Sequence, residues 1–181
     1  MQRKAPGTVA TNRKNNMQFK TEVGAIIAED GGLINMFDGE PGHVDFPDEM
    51  IARIHQMRPG YIQRFTHTHP PGMWKPSSQD NSMMSNLAVV MYPFPVRLGI
   101  IVPLRGSIEE GHDLSEKYYQ FMEYVYQWVF EPKEIWKKKK IVQNDIQRPI
   151  VYTQVDSTLF RYRKRAVQSW RDWIIERSYN E

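Results

Sequence analysis

The sequence predicts an α+β fold in which a mixed β-sheet is flanked by helices. Residues 23–28 form a continuous apolar run of the length typical of a buried strand, and residues 96–102 alternate as a half-buried strand does. Between them, the apolar residues Met50, Ile51, Ile54 and Met57 fall at helical spacing. Strands and helices mixed in this way favour α+β over a doubly wound sheet. A length of 181 residues is enough for one domain with a hydrophobic core.

Residues 1–15 are predicted to be a flexible basic arm. They carry Arg3, Lys4, Arg13 and Lys14 and no acidic residue, so they cannot bury enough apolar surface to order themselves. A solvated tail is the simpler interpretation of this charge run, and contact with nucleic acid is the alternative. The net charge of +3 permits an acidic partner without requiring one.

Residues 16–104 are predicted to form the core of the domain. Its strands are indicated by apolar runs or alternation, and its helices by apolar stripes with acidic or capping residues at their start. A turn at residues 30–32 predicts a hairpin. In chain order, the predicted elements are a strand at Met17–Ala28, a strand at Leu33–Phe37, a helix from Pro47 to Arg58, a strand at Tyr61–His69, a helix from Pro76 and a strand at Val96–Val102.

Residues 105–181 are predicted to be a largely helical C-terminal extension that packs on this core. A helix at Leu114–Phe130 is indicated by aromatic and aliphatic side chains that fall on one helical face. A strand is expected at Ile150–Val155. A last amphipathic helix, at Arg163–Arg177, is expected to bury Val167, Trp170 and Ile174.

The composition of the sequence excludes several classes of protein. The sequence contains no cysteine, which excludes disulfides, cysteine-ligated zinc and thiol catalysis. The longest apolar stretches, Leu87–Tyr92 and Leu98–Leu104, are far shorter than the roughly 20 residues that a membrane helix needs. The N-terminus lacks the apolar run of a signal peptide. We therefore expect no membrane association and a cytoplasmic location.

One segment carries residues suited to metal chemistry. His67 and His69 are two positions apart on a predicted strand, so both side chains point to the same face and can bind one ion together. Asp80 follows in the first turn of the next helix, after a loop rich in proline and glycine. Two imidazoles and a carboxylate suit zinc, and three protein ligands leave a fourth position open for water, as in catalytic sites.

Each part of this segment also has a simpler interpretation. Ser77-x-x-Asp80 alone is a capping box, a common helix start. His43, His55 and His112 are assigned to the surface or the core. The joint pattern of two histidines followed by the serine and aspartate is rarer, and we expect it by chance in roughly a few of every ten thousand such sequences.

The pattern His67-x-His69-Pro70…Ser77-x-x-Asp80, preceded by a glutamate before a buried glycine-containing strand, resembles the JAMM motif of the MPN-type (JAB/Mov34) metalloproteases. Glu22 is the position that corresponds to the family's upstream glutamate. The resemblance covers about residues 19–104 and implies an MPN-like fold for the core.

The resemblance implies a zinc-dependent peptidase or isopeptidase, deubiquitinase-like, that acts at the C-terminus of a ubiquitin-like modifier or in a processed protein. One zinc ion per chain would be held by His67, His69 and Asp80. Glu22 would act as the general base for the attacking water. Ser77 would stabilise the charge that develops on the carbonyl oxygen.

Two other functions compete with this one. The chain could be an MPN-type scaffold or assembly protein of a viral or multi-subunit particle, although such relatives usually lack part of the metal set. A non-haem iron oxygenase also uses two histidines and a carboxylate. That alternative leaves Glu22 and Ser77 without a role.

Overall fold

The computed structural model describes residues 17–110, 117–132, 150–164 and 166–180. The predicted arm at residues 1–15 lies outside them. The described elements, in chain order, are β1 (Gln18–Phe19), β2 (Val23–Ala28), β3 (Leu33–Asp38), α1 (Asp48–Met57), β4 (Ile62–Thr68), α2 (Ser78–Val90), β5 (Val96–Glu110), β6 (Lys117–Phe130), β7 (Ile150–Tyr162), α3 (Trp170–Ser178) and β8 (Tyr179–Asn180).

Six of the strands form one mixed sheet in the order β3-β2-β4-β5-β6-β7. The pair β4–β5 is parallel and is connected through helix α2, whereas its neighbours β2–β4 and β5–β6 are antiparallel. A parallel pair needs such a crossover, because the chain must return to the same end of the sheet. The short strands β1 and β8 pair separately. The predicted α+β class with a mixed sheet is confirmed.

The sheet buries apolar side chains on both of its faces. One face packs against α1 and α2 through residues such as Ile51, Met84 and Leu87. The other face packs against α3 through Ile174 and Ile175. The central strand β4 is therefore covered by helices on both faces of the sheet.

The predicted helix at Leu114–Phe130 is wrong, because residues 117–130 form strand β6. Tyr119 and Phe121 belong to the core beside α3, while Tyr126 and Trp128 belong to the core beside α1 and α2. When both faces of a strand are apolar, its side chains also satisfy a helical period. Aromatic and β-branched residues then favour the strand, since they pack well on a pleated surface.

The predicted helical extension at the C-terminus is also wrong, because most of the described residues there form strands of the same sheet. The expected boundary at residue 104 lies inside β5, and β6 and β7 continue the same sheet. Strand β7 runs to Tyr162 instead of ending at residue 155. The last helix begins at Trp170, seven residues later than expected, because Ser169 caps it there.

The core elements agree more closely with the sequence. The predicted strand at residues 17–28 is divided into β1 and β2. The intervening segment leaves the sheet ladder, and its Lys20 amide donates to the carbonyl of Ser178. Glu22 lies at the end of this break, next to β2. None of the described helices is long and apolar enough to span a membrane.

Candidate metal centre

The end of strand β4 places two imidazoles on one face of the sheet. His67 and His69 are almost fully buried, at 0% and 3% exposure, and their ring centroids are 4.6 Å apart. In the ladder, His67 lies opposite Gly24 of β2. A Cβ at that glycine would lie 3.0 Å from the ring of Phe46, so the glycine allows the aromatic ring to pack closely beside the site.

Helix α2 brings Asp80 to the two histidines. The Oδ2 atom of Asp80 is 3.4 Å from Nε2 of His67 and 3.2 Å from Nε2 of His69. The same oxygen accepts the backbone N–H of Ser77 at 2.9 Å. Hydrogen bonds to a carboxylate of this kind orient it and are common around metal ligands. The spacing of His67, His69 and Asp80 in the sequence thus corresponds to one cluster in space.

His69 is held in a single tautomer. Its Nδ1 atom lies 2.8 Å from the carbonyl oxygen of Met73, and because a carbonyl only accepts, Nδ1 must carry the proton. The lone pair of the ring is therefore on Nε2, the atom that faces Asp80. Metal-binding histidines typically show this arrangement, in which the second nitrogen donates to a carbonyl or a carboxylate.

His67 has two buried ring nitrogens without a hydrogen-bond partner. Nδ1 lies 3.3 Å from Oε1 of Glu22, and Nε2 lies 3.4 Å from Oδ2 of Asp80, but neither contact has hydrogen-bond geometry. Buried polar atoms are nearly always satisfied in folded proteins. An unsatisfied Nε2 beside a second imidazole and a carboxylate is the arrangement expected of a ligand whose partner is a cation.

Glu22 is buried at 4% exposure on the other side of His67. One ligand atom from each of Glu22, His67 and His69 lies within 4.8 Å of the others, so these three side chains could hold a metal ion. The contacts of Asp80 favour a different third ligand, since Asp80 faces Nε2 of both histidines. Two carboxylates, those of Glu22 and Asp80, thus lie beside the histidine pair.

The site is built to hold positive charge. Burial alone would lower the pKa of His67, but the carboxylates of Asp80 and Glu22 outweigh it and raise that pKa to about 9. Burial alone would raise the pKa of Asp80. His67, His69 and the amide of Ser77 instead hold it well below its usual range. Two buried carboxylates, Glu22 and Asp80, thus favour positive charge at His67.

Ser77 is the N-cap of α2 and is exposed at the edge of the site. Its Oγ accepts the amide of Asp80 at 3.1 Å, which confirms the capping box predicted from the sequence. The bond uses a lone pair of the hydroxyl oxygen and leaves the O–H free to donate to another group. The capping role therefore does not exclude a role in catalysis.

The surroundings of the cluster contain groups that the sequence did not indicate. The carbonyl of Met73 orients His69, and the hydroxyl of Tyr179 donates to the backbone carbonyl of His69. Carbonyl groups carry no sequence signal, and residue 179 is remote along the chain. A cavity of about 340 Å³ opens beside Asp80, and His43, assigned above to the surface or core, lines it.

A scan against models of known protein families finds no match to this chain, and a search among curated proteins finds none either.

Proposed function

We propose that this chain is a zinc-dependent metallopeptidase of the JAMM/MPN type that hydrolyses an amide or isopeptide bond in a protein substrate. The observation that carries the proposal is the approach of Asp80 to Nε2 of both His67 and His69. Glu22 lies beside the same cluster, and Ser77 lies at its edge. These are the five residues that the resemblance to the JAMM motif assigns to a peptidase.

Zinc suits this donor set better than other common metals. His67 and His69 would each supply Nε2, and Asp80 would supply a carboxylate oxygen. When bound, zinc would act as a Lewis acid and lower the pKa of a water molecule to about 7. With three protein ligands, a fourth position would remain for that water.

Glu22 would move the proton in this reaction. Its carboxylate is buried, and one of its oxygens lies within 4.8 Å of a ring nitrogen of each histidine, which supports a place for it beside the attacking water. It would accept a proton as the water oxygen adds to the amide carbon. It would then give this proton to the amine as the C–N bond breaks, which leaves a carboxylic acid and a free amine.

Ser77 would bind the carbonyl oxygen of the scissile amide. Its hydroxyl hydrogen is not needed for the capping bond with Asp80. A donor of this kind is worth about 2.7–4 kcal/mol when negative charge develops on the oxygen. The helix dipole at the start of α2 adds favourable potential at the same place.

The proposed substrate is the C-terminal segment of a ubiquitin-like modifier or a processed protein. The cavity beside Asp80 is lined by residues from the 43–45 segment and from the start of α2. An extended chain entering there would bring its carbonyl group towards Ser77 and Asp80. The resemblance to MPN-type proteases supports this class of substrate.

The test combines metal content with the variant Glu22→Gln. The purified chain should contain about one zinc per molecule and should cleave a ubiquitin-like fusion. We expect Glu22→Gln to retain zinc and to lose about 10²- to 10⁴-fold in rate, since a general base contributes that much. Glu29→Gln is the matched control, because Glu29 is exposed at the turn between β2 and β3.

Other results would identify other functions. If Glu22 only orients His67 through Nδ1, the variant should lose zinc affinity by about 10- to 100-fold. Iron in place of zinc would favour an oxygenase. Zinc without any cleavage, and no effect of Glu22→Gln, would favour an MPN-type scaffold.

A further inference from the structure

The end of α3 contacts the back of the strand that carries the two histidines. Thr68, which lies between His67 and His69 in sequence, points to the opposite face of the sheet from their rings. Its hydroxyl contacts the hydroxyl of Ser178, the last residue of α3. Both hydroxyl-bearing residues are completely buried, at 0% exposure, so they cannot exchange these partners for water.

The direction of the hydrogen bonds follows from the groups involved. Ser178 Oγ donates to the carbonyl of Thr21 at 2.5 Å, because a carbonyl cannot donate. A serine has one hydroxyl hydrogen, so the contact between Thr68 and Ser178 must use the hydrogen of Thr68. The oxygen of Thr68 in turn accepts the amide of Val23 at 3.1 Å. The result is a relay from Val23 N–H through Thr68 and Ser178 to the carbonyl of Thr21.

This relay holds both peptide groups that flank Glu22. The carbonyl of Thr21 belongs to the peptide bond before Glu22, and the N–H of Val23 belongs to the peptide bond after it. Both are tied to Thr68, whose neighbours on β4 are the two histidines. The backbone of Glu22 is therefore fixed relative to His67 and His69 by two buried hydroxyl groups.

Tyr179 provides a second contact from the same segment. It is buried at 2% exposure, and its hydroxyl is directed at the backbone carbonyls of His69 and of Ile101, the latter at 3.2 Å. Because carbonyl groups only accept, the phenol is the donor in both contacts. The backbone of His69 is thus held from the same side as that of Glu22.

We propose that Ser178 and Tyr179, with Thr68, are positioning residues that set the place of Glu22 relative to the histidine pair. This inference rests on the function proposed above. It adds that hydrolysis requires the end of α3 to be packed against the back of β4. Glu22 lies in the break between β1 and β2, where its own N–H and carbonyl pair with Glu40 and Gly39 at 3.4 and 2.8 Å. The relay adds a connection from the peptide groups on either side of Glu22 to the strand that carries the histidines. The relay then contributes, together with these backbone bonds, to the distance of the carboxylate from the reacting water.

A matched pair of variants at position 68 tests the relay. Thr68→Val removes the hydroxyl at nearly constant shape, and Thr68→Ser keeps it. We expect Thr68→Val to lower kcat by about 10- to 100-fold, as small displacements of a catalytic group do, with KM and zinc content unchanged. We expect Thr68→Ser to restore most of this rate. If Thr68 has only a structural role, the loss of kcat in each variant should instead parallel its loss of folding stability.

Ser178→Ala gives an independent version of the same test. Because Thr68→Val and Ser178→Ala interrupt one relay, the double variant should be no slower than the slower single variant. The amide of Val23 should exchange with solvent about tenfold faster in either single variant. Ile175→Val is the control, since the aliphatic side chain of Ile175 on α3 packs in the same core and takes no part in the relay.

The outcomes separate the relay from the proposed function. If the two single variants are additive, or if Val23 exchange changes equally in Ile175→Val, the relay does not position Glu22. If the wild-type chain hydrolyses nothing, the proposed function fails. In that case the exchange of the Val23 amide still tests the relay.

Discussion

Two of the described helices begin with the same four-residue pattern, but they differ in their surroundings, since one of them begins at the candidate metal centre. Helix α2 begins at Ser77-x-x-Asp80, and helix α3 begins at Ser169-x-x-Asp172. Both are capping boxes, in which the serine oxygen accepts the amide of the aspartate and the aspartate accepts the amide of the serine. The local sequence therefore specifies the same helix start twice.

The two aspartates differ in what lies opposite them. Asp80 is buried and its Oδ2 faces Nε2 of both His67 and His69. Asp172 is partly exposed, and its Oδ2 accepts backbone N–H groups at the start of α3. The comparison teaches that the serine–aspartate pair defines a helix start. Packing of α2 against a strand with two histidines then brings the aspartate of that start to the candidate metal centre.

Replacing the two aspartates in parallel should give the largest difference. Asp80→Asn removes the charged ligand but keeps an oxygen for the amide of Ser77, so the helix start survives. We expect it to lose at least about 100-fold in zinc affinity, since even the loss of groups around the ligands costs 10- to 100-fold, and to abolish hydrolysis. Asp172→Asn should retain both properties. Titration with zinc against a competing chelator measures the difference.

If both aspartate variants bound zinc equally well, the proposed difference between Asp80 and Asp172 would be wrong. That result would remove Asp80 from the metal site and leave Glu22 as the third ligand beside the two histidines. A double variant of Glu22 and Asp80 would then identify which carboxylate holds the ion.

Replacing the two serines should separate capping from catalysis. Ser77→Ala and Ser169→Ala should each lower the free energy of unfolding by about 1 kcal/mol, because each removes one N-cap. Only Ser77→Ala should also lower kcat, by about 10²- to 10³-fold, if its hydroxyl stabilises the carbonyl oxygen. Denaturant unfolding and steady-state kinetics measure the two effects separately. Equal kinetics in both variants would limit Ser77 to its role as a cap.

The sequence was informative where one face of an element is apolar and local chemistry marks its ends. Strand β4, helix α1 and the capped start of α2 agree with expectation to within a residue or two. Strand β6 was missed because Tyr119 and Phe121 are buried on one face and Tyr126 and Trp128 on the other. A run that is apolar on both faces has no clear period, so its partners in the sheet decide its structure.

The same distinction applies within the site. Spacing along the chain predicted that His67, His69 and Asp80 could meet, because a strand end, a loop and a helix start lie close in sequence. It could not predict the contacts of Ser178 and Tyr179, which lie 110 residues away from Thr68 and His69. Such contacts depend on the register of α3 against the sheet, and no local pattern encodes that register.

The smallest expected difference concerns the response of the metal-free chain to pH. His67 has a pKa of about 9 in the folded chain, against about 6.5 when unfolded. Its stabilising contribution is therefore complete below pH 6.5 and is lost as the pH rises towards 9, by at most about 1.4 kcal/mol per pH unit. Asp80→Asn should flatten this slope, because it removes a carboxylate that raises the pKa, whereas Asp172→Asn should leave it unchanged. Denaturant unfolding of the chelator-treated protein across this range measures both slopes, and equal slopes would show that Asp80 does not control the charge of His67.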